Sequence, residues 1–152
     1  MGHIPKHAEW YLAELVEEIT VLGAERNVVH RNLVLIRADS PDQAYNKAIY
    51  FGHKAETSYE NPEGRLVQIR FRGVSKLDVM YEDLEDGAEL TFEEQVGISF
   101  DEIEKCIPPK DQLHVFVPPK PGRKHDPDYR SKAVIEMVFD QLGFQKSKSD
   151  NE

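Results

Sequence analysis

The chain has 152 residues, of which 39% are hydrophobic and 31% are charged, and its formal net charge is −9. This length allows one domain that buries its own apolar core, so folding needs neither a metal nor a disulfide. The acidic balance disfavours non-specific binding to nucleic acid or to anionic lipid, because both are negatively charged. The composition is that of an ordinary soluble globular domain.

The cysteine content bears on the cellular compartment. Cys106 is the single cysteine, so no intramolecular disulfide can form, which suits a reducing environment. The sequence shows neither a signal-peptide pattern near its N-terminus nor an apolar run long enough to span a bilayer. We therefore expect a cytoplasmic protein with no membrane partner.

Alternating side chains predict two strands at the start of the chain. Residues 10–21, WYLAELVEEITV, place Tyr11, Ala13 and Leu15 on one face and Glu14 on the other. Residues 27–38, NVVHRNLVLIRA, read as a second strand. Because a short polar turn joins the two segments, the simplest arrangement is an antiparallel hairpin.

A helix beginning at Ser40 is the clearest predicted element. Ser40 suits the N-cap, Pro41 suits the first helical position, and Gln43 completes a capping-box pattern. Gly52 interrupts the helix late and predicts that it ends or frays near that residue. Along the predicted helix, an apolar stripe at helical spacing is formed by Ala44, Ala48, Phe51 and Ala55.

The middle of the chain mixes strand and turn signals. Residues 58–65, SYENPEGR, are predicted to be a loop, and a strand is predicted from Leu66 to about Arg72. Gly73 indicates a bend or bulge, after which residues 76–84, KLDVMYEDL, could continue the strand.

Further along, the pair Asp86-Gly87 is typical of a hairpin turn and predicts another strand in EDGAELTFEEQVGIS. Ser99 could cap a short helix in SFDEIEKCI. A brief strand-like run is predicted in DQLHVFVPP, where prolines end it.

The C-terminal part contains a linker and a last helix. Residues 118–128 are rich in proline and charge, which predicts a linker. Asp126 and Pro127 could cap and open a final helix, which Gly143 would stop. The predicted organisation is a single domain over residues 1–117, the linker over 118–128, and a helix with a frayed tail over 129–152.

The resulting order, β-β-α-β-β, predicts an α+β fold. An antiparallel or mixed sheet of four to five strands would carry one main helix on one face, together with the C-terminal helix. An antiparallel sheet can leave its second face partly uncovered, so the C-terminal helix could pack there, pack elsewhere, or reach another chain.

Three segments carry a resemblance to a known family: WYLAELVEEI, NLVLIRADSPDQAYNKA and DGAELTFE. Over about residues 10–98 the chain resembles a bacterial family known only as a domain of unknown function, number 4288. The resemblance implies a small bacterial α+β domain. It implies no activity, no cofactor and no site residues. The proline-rich linker and the last helix lie outside it.

Polar side chains at regular strand spacing suggest a surface that could bind a ligand. If the strands are neighbours, the arginines could hold an anion while a carboxylate and His30 transfer protons. The same pattern is also typical of opposite charges on a solvated sheet, where each pair contributes about 0.2–1 kcal/mol. The candidate residues are Glu14, His30, Asn32, Arg70, Arg72, Glu89 and Glu93.

Between Glu82 and Glu104 lie ten acids without a lysine or arginine. This acidic segment could dock a basic partner, or it could be a solvated surface that favours solubility. It lacks the alternating pattern of a calcium loop, and the sequence has no zinc, nucleotide-binding or nucleophile motif. We therefore predict no metal and no cofactor.

These observations favour a non-enzymatic protein-binding or accessory module. Its partner would be another protein or a second copy, recognised through the acidic segment or the C-terminal helix. Nucleic acid is not expected as a partner, because basic residues are not interleaved with the aromatic ones. The alternative is a small-anion-binding domain or enzyme that uses the Arg/Glu/His polar face of the sheet.

Overall fold

The computed structural model of the protein describes residues 8–143. The predicted frayed tail beyond Gly143 falls outside this range. The described residues form two compact units: one comprises the chain up to Leu90 and from Pro127 onward, and the other is Thr91–Asp126. Between residues 8 and 143, no helix has the length and apolar character needed to cross a membrane. The predicted boundaries at residues 117 and 128 stay predictions.

The first unit is built on a sheet of four antiparallel strands with the order β2-β1-β4-β3. A helix, α1, spans Pro41–Lys54, between the second and third strands in the chain. The α+β class is thus confirmed, whereas the predicted order of elements holds only for the first two strands and α1. The strands are β1 (Trp10–Val21), β2 (Val28–Arg37), β3 (Thr57–Glu60) and β4 (Leu66–Val79).

The sheet has two distinct faces. Tyr11, Ala13 and Leu15 of β1 are buried in a core shared with Ala44 and Ala48 of α1. We call this side of the sheet the helix face and the opposite side the outer face. The predicted hairpin is confirmed, because β1 and β2 pair antiparallel without interruption. A second small core lies at the other end of the helix face, formed by Ile19, Val21 and Val67.

The N-terminus of α1 follows the predicted pattern. The Ser40 hydroxyl accepts a hydrogen bond from the Gln43 backbone N–H at 3.1 Å, which confirms the N-cap. The Gln43 side chain accepts from the Asp39 N–H at 2.6 Å, one residue earlier than in a capping box. The predicted end near Gly52 is confirmed, because the helix ends shortly after it, at Lys54.

The face that α1 buries also differs from the prediction. Ala44 and Ala48 are buried as expected, but the third buried position is Gly52, whereas Phe51 and Ala55 are exposed. Position 52 requires glycine because α1 lies so close to the sheet there that a Cβ atom would collide with it.

The predicted loop over residues 58–65 contains a short strand, β3, which pairs antiparallel with β4. Buried Asn61 closes the turn between them, because its side-chain oxygen accepts from the Glu63 N–H at 3.0 Å and from the Arg65 N–H at 2.9 Å. The loop prediction was wrong here because β3 depends on this turn and on pairing with β4.

Strand β4 continues past Gly73 to Val79, as the sequence pattern suggested. Its pairing with β1 shifts register twice, between Glu14 and Leu15 and between Val16 and Glu17. Such shifts are β-bulges, which add one residue and re-aim the side chains around them. The predicted bend or bulge at this point is confirmed.

The strand predicted after Asp86-Gly87 is wrong. The turn itself forms, since Gly87 has a φ of +85° and the Ala88 N–H donates to the Glu85 carbonyl at 3.1 Å. No strand follows, because the residues before the turn leave the sheet after Met80 and offer no partner edge. The prediction of a brief strand in DQLHVFVPP is also wrong, since two short 3-10 helices occupy Lys110–Gln112 and His114–Phe116.

The helix predicted after Ser99 is confirmed as α2, Phe100–Lys105. The last helix, α3, spans Lys132–Gln141 with Ser131 as its N-cap, so the predicted start at Asp126 and Pro127 is wrong. The chain before α3 is held by other contacts: the Asn61 side chain donates to the Asp128 carbonyl at 3.0 Å, and the Tyr59 hydroxyl donates to the Tyr129 carbonyl.

Candidate functional site

Strand register decides which predicted site residues share a face. Residues paired across antiparallel strands point to the same side of the sheet. Glu17 of β1 pairs with His30, whereas its neighbour Glu18 pairs with Arg70. Adjacent residues of a strand point to opposite faces, so His30 lies on the helix face and Arg70 on the outer face.

Glu14 is the most enclosed carboxylate on the outer face, with a side chain only 11% exposed. The β-bulge in β4 turns Ser75 toward it, and the Ser75 hydroxyl donates to Glu14 Oε1 at 2.7 Å. Arg31 lies 3.4 Å from the same oxygen. The Ser75 hydrogen bond, aided by the charges of Lys76 and Arg31, lowers the pKa of Glu14 despite its burial. Glu14 is therefore an ionised carboxylate held in place by Ser75, and it is not suited to donate a proton.

The two arginines of β4 have carboxylate neighbours. Arg72 Nε lies 3.9 Å from Glu18 Oε1 on the outer face. The charge of Arg70 adds to a lowered pKa at Glu56, where the main cause is a hydrogen bond from His53 at 2.7 Å. These are largely exposed pairs, which contribute little to stability.

An open depression of about 260 Å³ lies beside Arg70, at the edge formed by β3 and β4. It is shallow and mostly polar, and His30 is not among the residues that line it. The lining residues are Glu56, Thr57, Ser58, Gln68, Ile69 and Arg70.

The helix face holds a separate polar group. The Asn32 side chain donates to Glu17 Oε2 at 2.8 Å, and His30 packs edge-on against the Tyr129 ring with a centroid distance of 5.5 Å. The sequence analysis did not identify Glu17, Ser75 or Tyr129 as candidate site residues. Only the register brings Glu17 beside His30, and Ser75 is aimed by the bulge, so neither spacing nor residue type could have revealed them.

Two predicted site residues are not on the sheet. Glu89 lies in the irregular chain after β4, and its backbone N–H donates to Glu82 Oε2 at 2.9 Å. Glu93 belongs to the second unit. The expectation that both project from a strand opposite the arginines is wrong, because residues 81–98 contain no strand.

Exposed apolar side chains lie within and just after the acidic segment. Every residue from 91 to 125 is exposed, so the second unit has no buried core. In α2, Phe100 and Ile103 lie at helical spacing and are 72% and 47% exposed. Ile107, two residues beyond the end of the helix, is 69% exposed. Within residues 8–143, no cluster of three or more His, Cys, Asp or Glu side chains could hold a metal ion.

Four antiparallel strands with one helix packed on the helix face define the first unit as a small α+β domain. The chain belongs to the family named Domain of unknown function (DUF4288), whose model matches residues 10–92. No curated protein and no solved structure matches the chain. The family match includes the whole sheet and α1, whereas α2 and α3 lie beyond it.

Proposed function

We propose that this protein is a non-enzymatic protein-binding module that presents α2 to an apolar groove on a partner protein. The observation that carries the proposal is an exposed apolar stripe, formed by Phe100 and Ile103 on α2 and by Ile107 two residues past its end. Phe100 and Ile103 are anchors at positions i and i+3, which belong to the pattern by which an amphipathic helix docks into a groove. In water such a stripe is unfavourable, and burial would recover about 1.5–3 kcal/mol for each large apolar side chain.

Charge defines the partner's chemistry. Asp101, Glu102 and Glu104 surround the stripe, and the preceding part of the acidic segment adds further negative charge. A groove whose rim carries lysine and arginine would attract this surface, speed the encounter and disfavour acidic competitors. The proposed partner is therefore a protein with an apolar groove and a basic rim.

The helix is preorganised for such an encounter. Ser99 and Glu102 form a complete capping box: the Glu102 N–H donates to the Ser99 hydroxyl at 3.3 Å, and the Ser99 N–H donates to Glu102 Oε2 at 3.0 Å. The bond from the Ser99 N–H, together with one from the Ser99 hydroxyl to the same carboxylate oxygen at 2.8 Å, lowers the pKa of Glu102. A helix that is already formed loses less conformational entropy on binding.

Helix α3, the other surface considered from the sequence, has weaker support. It contacts β3, and the chain just before it is held by the side chains of Tyr59 and Asn61. The enzyme or anion-binding alternative also has less support, because Arg70 and His30 lie on opposite faces of the sheet. The lone Cys106 suits a cytoplasmic setting, which we include in the proposal.

A photo-crosslinking experiment tests the proposal. A photoreactive residue is placed at Glu104 of the full chain, beside the stripe, and crosslinked proteins from the source cells are identified by mass spectrometry. We expect one dominant partner, and we expect the triple variant F100A/I103A/I107A to reduce its binding at least tenfold when both proteins are purified.

The matched control replaces three exposed apolar residues of the first unit, as L22A/Y45A/Y50A. It removes comparable exposed apolar surface and should bind the partner as the parent does. Circular dichroism would verify that both variants keep the fold. Equal affinity of the α2 variant and the control would overturn the proposal, as would the absence of any crosslinked partner.

A further inference from the structure

The two edge strands of the sheet, β2 and β3, differ in length. The β3 edge is only four residues long, which is one way that proteins limit unwanted strand pairing. The β2 edge is ten residues long, has no register shift against β1, and contains no proline, glycine or lysine. Among residues 8–143, no strand pairs with its outer side. β2 therefore offers an open row of backbone donors and acceptors.

The outer face of β2 is apolar and basic. Val29, Leu33 and Leu35 are 51%, 59% and 43% exposed, although they lie on a strand. Arg31 and Arg37 alternate with them, and both side chains are mostly exposed. The strand contains no acid, in a protein with a net charge of −9. An added strand that fits this face must combine apolar side chains with a carboxylate.

Residues 88–96 of the chain have that pattern. They contain no helix, strand, turn or bend, and they follow the Asp86-Gly87 turn directly. Leu90, Phe92 and Val96 are exposed, and they alternate in the way that indicates a strand. Glu94 occupies the same alternating set. The segment is thus a strand-forming sequence that pairs with no strand among residues 8–143.

We propose that residues 88–96 of one copy pair as an added antiparallel strand with the outer edge of β2 in a second copy. The register is chosen by charge and by apolar matching, since opposite charges and apolar pairs stabilise neighbouring strands. In this register Glu94 faces Arg31, Phe92 faces Leu33, Leu90 faces Leu35, and Val96 faces Val29.

Neighbouring registers fit less well. A shift of two residues in one direction places Glu94 opposite Leu33, and a shift in the other direction places it opposite Val29. Either shift leaves Arg31 facing an apolar side chain. A shift of one residue would turn the apolar side chains to the other face of the sheet. If each copy both donates and accepts a strand, the assembly closes as a two-fold dimer.

This inference uses residues other than those of α2, so it can fail while the proposed function stands. The test is multi-angle light scattering with sedimentation of the purified full chain over a range of concentrations. We expect reversible dimers. Arg31→Glu and Glu94→Arg should each weaken the dimer by about tenfold or more, because each places like charges opposite one another.

Mixing the two single variants gives the sharpest outcome. In the mixture, Glu94 of one chain meets Arg31 of the other, and the substituted arginine at position 94 meets the substituted glutamate at position 31. Dimerisation should therefore return to the parent level. Arg37→Glu is the matched control, because Arg37 faces Ala88 in this register, and it should change the affinity much less.

Three results would overturn the inference. One is a chain that stays monomeric at every concentration. Another is a dimer that neither Arg31→Glu nor Glu94→Arg weakens. The third is dimerisation that each variant weakens but that mixing does not restore, since that would show no pairing between chains. Glu94 lies outside the core, so its variant remains informative if the substitution in β2 impairs folding.

Discussion

Gly52 of α1 lies directly against the ring of Phe71 in β4. A Cβ atom at position 52 would stand 2.4 Å from both Cδ2 and Cε2 of that ring, which is closer than non-bonded carbon atoms can approach. The helix meets the sheet at this contact, and Phe71 in turn packs against the main core. The glycine is thus required by packing between two elements rather than by a turn.

Gly52→Ala should therefore destabilise the protein, although alanine is the better helix former by about 1 kcal/mol. We expect the free energy of unfolding to fall by about 1–3 kcal/mol, because the ring or the helix must move. Urea unfolding followed by circular dichroism measures it. In a Phe71→Ala background the same substitution should cost much less, and an equal cost in both backgrounds would contradict the contact. Asn46→Ala, on the exposed side of α1, is the control.

Asn61 should matter for both the turn and the C-terminal segment. Its buried side chain accepts from two backbone N–H groups and donates to the Asp128 carbonyl. Asn61→Ala leaves these groups without partners, so we expect a loss of about 1–3 kcal/mol or more. Hydrogen exchange should also become faster in residues 127–141. Unchanged exchange there would mean that Asn61 does not tether this segment.

The pH dependence of stability should reflect Glu14. The folded-state pKa of this group lies below its ordinary value of 4.5, chiefly through the Ser75 hydrogen bond. Its contribution is therefore present above pH 4.5 and is lost as the pH falls through the folded-state pKa. Glu14→Gln and Ser75→Ala should both lower the melting temperature at pH 7 and flatten its decline on acidification. Ser58→Ala should leave the profile as it is, and a parent-like slope in Glu14→Gln would exclude this role.

The two serine caps should differ in their effects. Ser40→Ala removes the N-cap of α1, which packs on the sheet, and should lower the free energy of unfolding by about 0.5–2 kcal/mol. Ser99→Ala removes the cap of α2, which buries no residue, and should leave the main unfolding transition unchanged. Chemical denaturation of the two variants makes the comparison. A similar loss in both would indicate that α2 contributes to the stability of the sheet domain.

Much of the local structure could be predicted from the sequence. The caps at Ser40 and Ser99 depend on atoms within three residues, and the alternation in β1 and β2 reflects burial on one face. Strand β3 could not be predicted, because four mostly exposed residues form a strand only when β4 and the Asn61 turn are in place. The strand expected after Asp86-Gly87 failed for the opposite reason: its signal is present, but the residues just before the turn form no strand with which it could pair as a hairpin.

In the candidate site, too, some features could be predicted from the sequence and others depend on strand pairing. Spacing within one strand correctly indicates which of its side chains share a face, as for His30 and Asn32. Whether His30 and Arg70 meet depends on how three strands are aligned, and two bulges in β4 change that alignment. Ser75 reaches Glu14 only because a bulge adds one residue at that point.

By itself, the sequence determined the α+β class, the first hairpin, the helix caps and the acidic character, since these follow from composition and from contacts within a few residues. The tertiary structure decided the strand order, the separation of the polar residues onto two faces, and the need for glycine at position 52. It also decided which apolar residues stay exposed, on α2 and on the open edge of β2. These properties depend on register and on close packing between distant segments, where a shift of one residue reverses the direction of a side chain.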